Sequence, residues 1–378
     1  MAEKDSIFQR GQIRGYLFEM AILHLLLNNG FSRVSSNKTS KKDKNQVNRV
    51  RENRPFFVEL RGRGGWHQID CPCDYSILSP FMYPIRLIGE VKYYDRLVNK
   101  DTVRQFIGVL RDIQENYIVP VELEEEKKTR LPKLPCRYIE VGTIFAAKGF
   151  TRSAELLAYA QGIKTISYKN NLMVNSIKEV IDRLEKKIPY ETFKSNEVSI
   201  LQYINDCFDS YDDKMKIGKT SRLDSFVTDS SLDGDGIDSD IIQLVEATKR
   251  IKSDFFATTY EGIVIHFLSD SVFPEHVFYD QDVKDCKIHY SRNANNGIDF
   301  WLTIDKADDV RFYFTPPELL LEAVNTSHES GLREKGMLFK ELTFTKDIEG
   351  KMRILKLRIN NKWLDNLKKG VRMANQLD

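Results

Sequence analysis

Few of the residue types that announce a chemistry are abundant in this chain. Its 378 residues include five cysteines, six histidines and three tryptophans. A small, odd set of cysteines excludes a complete disulfide framework, and with neither a signal-peptide pattern nor a long apolar span the expectation is a reducing cytoplasm and no membrane partner. Cys71-Pro72-Cys73 lacks the spacing of a zinc knuckle, and no second cysteine pair or histidine cluster completes it. His266, His276, His289 and His328 stand singly, the usual pattern of structural histidines. An excess of one charge is missing too: 57 Lys+Arg face 55 Asp+Glu, a formal net charge of +2. Any nucleic-acid footprint must therefore be local. Gly218-Lys219-Thr220 lacks the earlier glycine and preceding strand of a phosphate loop, and the acidic run over 233–238 lacks the terminal glutamate of a calcium loop.

What is present centres on Glu90-Val91-Lys92, which ends the apolar run over 84–89. Side chains alternate along a strand, so Glu90 and Lys92 share a face while Val91 points to the other. A carboxylate beside an ammonium on a strand is commonly a plain ion pair. The surroundings give it more weight. Upstream, residues 15–27 read as a mostly apolar helix carrying one acid, Glu19, and closed by Asn29-Gly30. An unpaired carboxylate on such a face is costly, so Glu19 needs a partner or a metal. Between the two, Arg61-Gly62-Arg63-Gly64-Gly65 is a glycine-rich turn leading into a short strand that ends at Asp70. A hairpin there could carry Asp70 to Glu90. Two carboxylates and a lysine would then converge, able to bind a hard divalent cation through oxygen and to orient a water. Asp74 competes as an acid, but Cys71-Pro72-Cys73-Asp74 reads as a turn.

Downstream, the pattern predicts an amphipathic helix over 101–117, a strand over 138–147, a helix capped by Thr151 with Glu155 near its positive end, a short strand over 163–167, and helices over 171–187 and 198–208. Helix, hairpin, strand with Glu-x-Lys, helix, strand, helix, strand is an α/β order. In that order, the chain resembles the PD-(D/E)XK nuclease superfamily, and within it the Mrr-type restriction endonucleases. The resemblance is carried by Phe18-Glu19, Gly65-Trp66-His67-Gln68-Ile69-Asp70, Gly89-Glu90-Val91-Lys92-Tyr93, Val103-Arg104-Gln105-Phe106-Ile107-Gly108 and Gly149-Phe150-Thr151-Arg152-Ser153-Ala154, over roughly residues 10–170. No proline precedes Asp70, and Glu90 stands where many Mrr-type proteins have glutamine.

The resemblance implies a restriction-endonuclease-like core, with a central mixed sheet flanked by helices, and a Mg²⁺-dependent DNA endonuclease of restriction or defence type. It implies that Asp70 and Glu90 ligate Mg²⁺, with Mn²⁺ as an alternative, that Lys92 places the attacking water and stabilises charge on the phosphate, that Glu19 completes the metal shell, and that Gln105 supports the site from the following helix. Its expected partners are DNA, a second copy of the chain and a defence-system protein. The competing function is a nuclease fold kept as a nucleic-acid-binding or interaction module without cleavage. A local basic footprint exists for either: Lys38, Lys41, Lys42, Lys44, Arg49, Arg51, Arg54 and Arg61 lie between Arg33 and Arg63, directly before the proposed metal strand. The charged stretch over 122–128 reads as a solvated loop.

Length favours two domains. The expected division is a nuclease domain over 1–190, a helix and flexible linker over 191–240, where Ser, Asp and Gly replace large apolar residues after 209, and an α+β domain over 241–378. In the last, a helix precedes strands over 262–268, 286–290, 298–304, 310–315, 341–344 and 352–359, with helices over 317–324 and 362–373. Its expected job is target selection, oligomerisation or regulation, by analogy alone.

Overall fold

The structure, a computed structural model, describes residues 2–34, 50–54, 57–75, 83–116, 138–188, 190–209, 235–293, 297–320, 340–359 and 369. The chain begins with α1 (Ala2–Asn28), whose Ile13, Leu17, Phe18, Ala21 and Leu25 recur at helical spacing and are all buried. Gly30, at φ 77°, takes the left-handed turn into β1 (Phe31–Arg33). There follow β2 (Val50–Arg54), β3 (Phe57–Arg61), β4 (Trp66–Ile69), β5 (Cys71–Tyr75) and β6 (Ile85–Lys92). Next come α2 (Lys100–Glu115), β7 (Ile139–Ala146), α3 (Arg152–Ala160), β8 (Lys164–Ser167) and α4 (Leu172–Lys187).

These elements build the expected mixed sheet, in the order β1-β5-β6-β7-β8, antiparallel through β6 and parallel from β6 to β8. Helices cover both faces. Leu87, Val91 and Phe145 share a core with α1 and α4, while Ile88 and Ile144 pack with Val103, Phe106 and Leu110 of α2 and with Ala154 and Ala158 of α3. The two cores draw on alternate residues of β6, which is why that strand reads as a nearly unbroken apolar run. A second, three-stranded sheet, β2-β3-β4, turns its Val58, Leu60 and Ile69 into the α2 side.

Residues 71–74, expected as a turn, belong to the strand β5 between β1 and β6. Cys71 and Cys73 are small enough to be fully buried there, and Asp74 is held by two Arg86 hydrogen bonds of 2.7 and 2.8 Å. Pro72, which cannot donate, stands where β1 ends, so that only its carbonyl is used, by Val34 N–H at 3.2 Å.

Two further helices, α5 (Tyr190–Asp209) and α6 (Asp235–Lys249), add Phe193, Leu201, Ile204, Phe208, Ile241, Leu244 and Val245 to the core shared by α1 and α4. Much of the expected linker, residues 210–234, lies outside the described residues, as do the basic residues 38–49 and the stretch 122–128. The C-terminal strands are β9 (Ser253–Thr259), β10 (Val264–Ser269), β11 (Val283–Arg292), β12 (Ile298–Ile304), β13 (Ala307–Phe314), β14 (Glu341–Ile348) and β15 (Lys351–Ile359). Rather than an α+β layer they form a closed seven-stranded barrel, ordered β10-β13-β12-β11-β15-β14-β9. Closure removes the exposed edges an open sheet would present. Its interior is filled by phenylalanines: the Phe255 ring lies 5.0 Å from Phe267, 5.1 Å from Phe312 and 4.3 Å from Phe344. Of the expected helix over 317–324 only residues 318–320 are described as helical, and that over 362–373 lies outside the described residues apart from Lys369.

Candidate active site

Asp70 is the one residue between β4 and β5, where the chain leaves the small sheet and enters the central one. Its carboxylate reaches across to β6: Oδ2 accepts a 2.8 Å hydrogen bond from the Val91 N–H. That bond fixes Asp70 against the strand bearing Glu90 and Lys92. Lys92 Nζ lies 2.5 Å from Glu90 Oε1 and 3.6 Å from Asp70 Oδ2. The three side chains keep 13% (Asp70), 22% (Glu90) and 17% (Lys92) of their surface, so solvent still reaches them.

Glu19 approaches the same point from α1. Burial raises its carboxyl well above the usual range, helped by the Asp70 and Glu90 charges and opposed by Lys92. The Glu90 carboxyl is likewise raised by burial and by Asp70, against the pull of Lys92. Burial works against the Lys92 ammonium, but Asp70 and Glu90 outweigh it and hold its pKa above the ordinary lysine value. Three carboxyls thus share one ammonium, and the surplus negative charge adds to burial in opposing the ionisation of Glu19 and Glu90.

That donor set fits a hard divalent cation, since all its ligating atoms are carboxylate oxygens and a 2+ charge would remove the repulsion that raises Glu19 and Glu90. That fit is one of donor chemistry: among the described residues, no group of three or more His, Cys, Asp or Glu side chains is placed to hold a metal ion. The Lys92 ammonium, in contact with both Glu90 and Asp70, takes the place of the counter-ion.

Gln105, the fifth expected site residue, stands exposed on α2, whose buried side is Val103, Phe106, Leu110 and Ile113. No contact among the described residues joins it to the acids. One residue that sequence reasoning missed holds the site's frame. Arg14, on α1 before Glu19, bonds Asp95 in bidentate fashion (2.7 and 2.9 Å) and lies 3.2 Å from Glu185 of α4. Its guanidinium stands 5.4 Å from the ring centre of Tyr93, whose hydroxyl donates to Asp182 at 2.8 Å. α1 is thereby tied to the segment directly after Lys92. A basic residue in the helix that carries Glu19 was the available signal. Beside Glu19 and Asp70 a cavity of about 40 Å³ opens between α1 and α5, edged by Tyr16, His24, Arg33 and Asn205. It has room for a few waters.

No family model and no curated protein matches this chain. A solved structure, that of AF1548, a protein of unknown function, is similar at 12% sequence identity over 62% of this chain and 97% of that chain, with a TM-score of 0.31. At that score the likeness assigns neither family nor activity. No helix among the described residues is long and apolar enough to cross a membrane.

Proposed function

We propose that this chain is a Mg²⁺-dependent DNA endonuclease with a restriction-endonuclease-like core, of restriction or defence type. The observation that supports it most is the convergence of Asp70, Glu90 and Lys92 at the end of β6, with Glu19 facing them from α1. An ordinary ion pair needs one acid and one base; a surplus of partly buried carboxylates has no structural use and costs folding energy.

Asp70 and Glu90, with Glu19, would hold Mg²⁺ or Mn²⁺, which when bound supplies Lewis acidity and a water of lowered pKa. Asp70 keeps Oδ2 on Val91 N–H, which leaves Oδ1 without that bond. Lys92 would donate N–H bonds to the attacking water or to a phosphate oxygen. Its compact, rotatable ammonium suits both. Cleaving both strands of a duplex calls for a second active site, which makes a homodimer part of the proposal, and a defence-system protein is the partner expected for such an enzyme in the cytoplasm.

Supercoiled plasmid incubated with the protein should be nicked or linearised with Mg²⁺ and left intact with EDTA. Asp70→Ala and Lys92→Ala should each lose on the order of 10²-fold or more in rate. Unchanged plasmid throughout, methylated and unmethylated, supports instead a nuclease fold serving only as a nucleic-acid-binding module. If the variants cut as well as the parent, the site is elsewhere. The ammonium already lodged between Glu90 and Asp70 is the observation on the side of the binding module.

A further inference from the structure

The β2-β3-β4 sheet has two unlike faces. Val50, Val58, Leu60 and Ile69 point inward and pack around Ile88 of β6. Strand alternation therefore turns Arg51, Glu59, Arg61, Trp66 and Gln68 to the opposite face. There the Trp66 indole collects two guanidinium groups, Arg51 at 4.4 Å and Arg61 at 5.9 Å from the ring centre. Arg51 also pairs with Glu59, whereas no carboxylate among the described residues pairs with Arg61.

The platform is firmly held. Asp112 of α2 accepts a 2.8 Å bond from Gly64 N–H and lies 2.6 Å from His67 Nε2, which pins the β3-β4 turn to the main body. A side chain at Gly62 would stand 2.0 Å from Asp112 Oδ2, so the close approach depends on glycine. Arg51 and Arg61 are exposed beside the half-buried ring, and with Glu59 balancing Arg51 the face keeps the Arg61 charge in surplus. The two guanidinium groups are complementary to an anion running past both.

We propose that this Arg51-Trp66-Arg61 stack is a clamp for the DNA backbone. Trp66 orders the two arginines by cation–π contact, so less side-chain freedom is lost when they meet phosphates. The clamp rests on DNA being the substrate, as proposed above, and adds where the duplex is held. β4 runs from Trp66 directly to Asp70, a span of about 13 Å at ~3.3 Å per residue.

Fluorescence anisotropy of a labelled 20-base-pair duplex, titrated with the full-length protein in EDTA over a salt series, tests the clamp without cleavage. Arg61→Ala should weaken binding several-fold and flatten the slope of log affinity against log salt by about 0.9. Trp66→Ala should weaken binding similarly and Trp66→Phe should restore most of it, with circular dichroism confirming the fold. Arg61 is exposed, so its variant decides the matter if Trp66→Ala does not fold. Affinities and slopes equal to the parent's for Arg61→Ala, or no binding by the parent, overturn the clamp. DNA bound through the clamp but never cut with Mg²⁺ leaves the clamp standing and removes the nuclease; DNA cut normally by a protein whose Arg61→Ala variant binds unchanged removes the clamp alone.

Discussion

Burial of an ionisable side chain leaves a signature in pH, and His24 provides the clearest one. Its ring stacks on Phe208 with centroids 4.0 Å apart, and burial, followed by the nearby charges of Arg33 and Lys249, lowers its pKa to about 3. In the unfolded chain the value is about 6.5. The folded state therefore takes up that proton less readily: the contribution is fully present above pH ~6.5 and drains away as pH falls towards 3. Thermal melts at pH 7, 5 and 4 should show His24→Leu losing less stability on acidification than the parent, and parallel curves would show that another group sets the acid limit. Glu19 and Glu90 are raised for a related reason, but like charge adds to burial in their case. The contact of Glu90 with Lys92 was legible, since strand periodicity alone gives them a shared face. The exposure of Gln105 was not: α2 buries Val103 and Phe106 near it and leaves the amide at the surface.

Elements were read well where caps and periodicity agree. Thr151 caps α3 by accepting from Ala154 N–H, Asn171 caps α4 by accepting from Met173 and Val174, and α2 ends within a turn of its expected limit. β5 was misread because Pro72 and Asp74 are turn formers, and what overrides them is tertiary: β1 stops at Pro72 and Arg86 claims Asp74. β9 was not anticipated at all, since its Ser253, Asp254 and Thr259 are polar and find their partners only in the folded barrel. The same close packing yields a prediction. A Cβ on Gly89 would stand 2.7 Å from the Cys71 carbonyl oxygen and 2.9 Å from Cys71 Cβ. Backbone cannot swing aside as a side chain can, so Gly89→Ala should cost about 1–3 kcal/mol in denaturant titrations. It should also slow the cleavage proposed above, because Asp70 directly precedes β5 and β6 carries Glu90. Unchanged stability would mean the two strands separate freely there.

At the scale of the molecule, strands of the barrel were visible but their closure was not, because β11 pairs in parallel with β15, some seventy residues on, and β9 joins β14 across a similar gap. No local pattern encodes such pairings. Nor could sequence show that the barrel and the α/β unit share buried polar groups. The Tyr168 hydroxyl lies 2.9 Å from His266 Nδ1, His266 Nε2 lies 2.9 Å from Asp254 Oδ2, and the Asn29 amide donates to the same carboxylate. Leu268 of β10 belongs to the core formed by α1 and α4. Replacing His266 by alanine would leave the Tyr168 hydroxyl and the Asp254 carboxylate buried without the ring, a loss of about 3–5 kcal/mol. Near-UV dichroism and far-UV dichroism should both report a lower, still single transition; two separate transitions would show that the halves unfold independently.

Asp70 is a single residue without slack on either side: the strand before it belongs to the outer sheet, the strand after it to the central one, and its own carboxylate is moored to Val91. A displacement of the outer sheet therefore has no loop in which to dissipate and arrives at the carboxylate as a strut delivers a push. In the nuclease proposed above, binding at the outer sheet and the placing of Asp70 would then be one mechanical event, and a ligand that seats the outer sheet badly would misplace Asp70 without ever touching it.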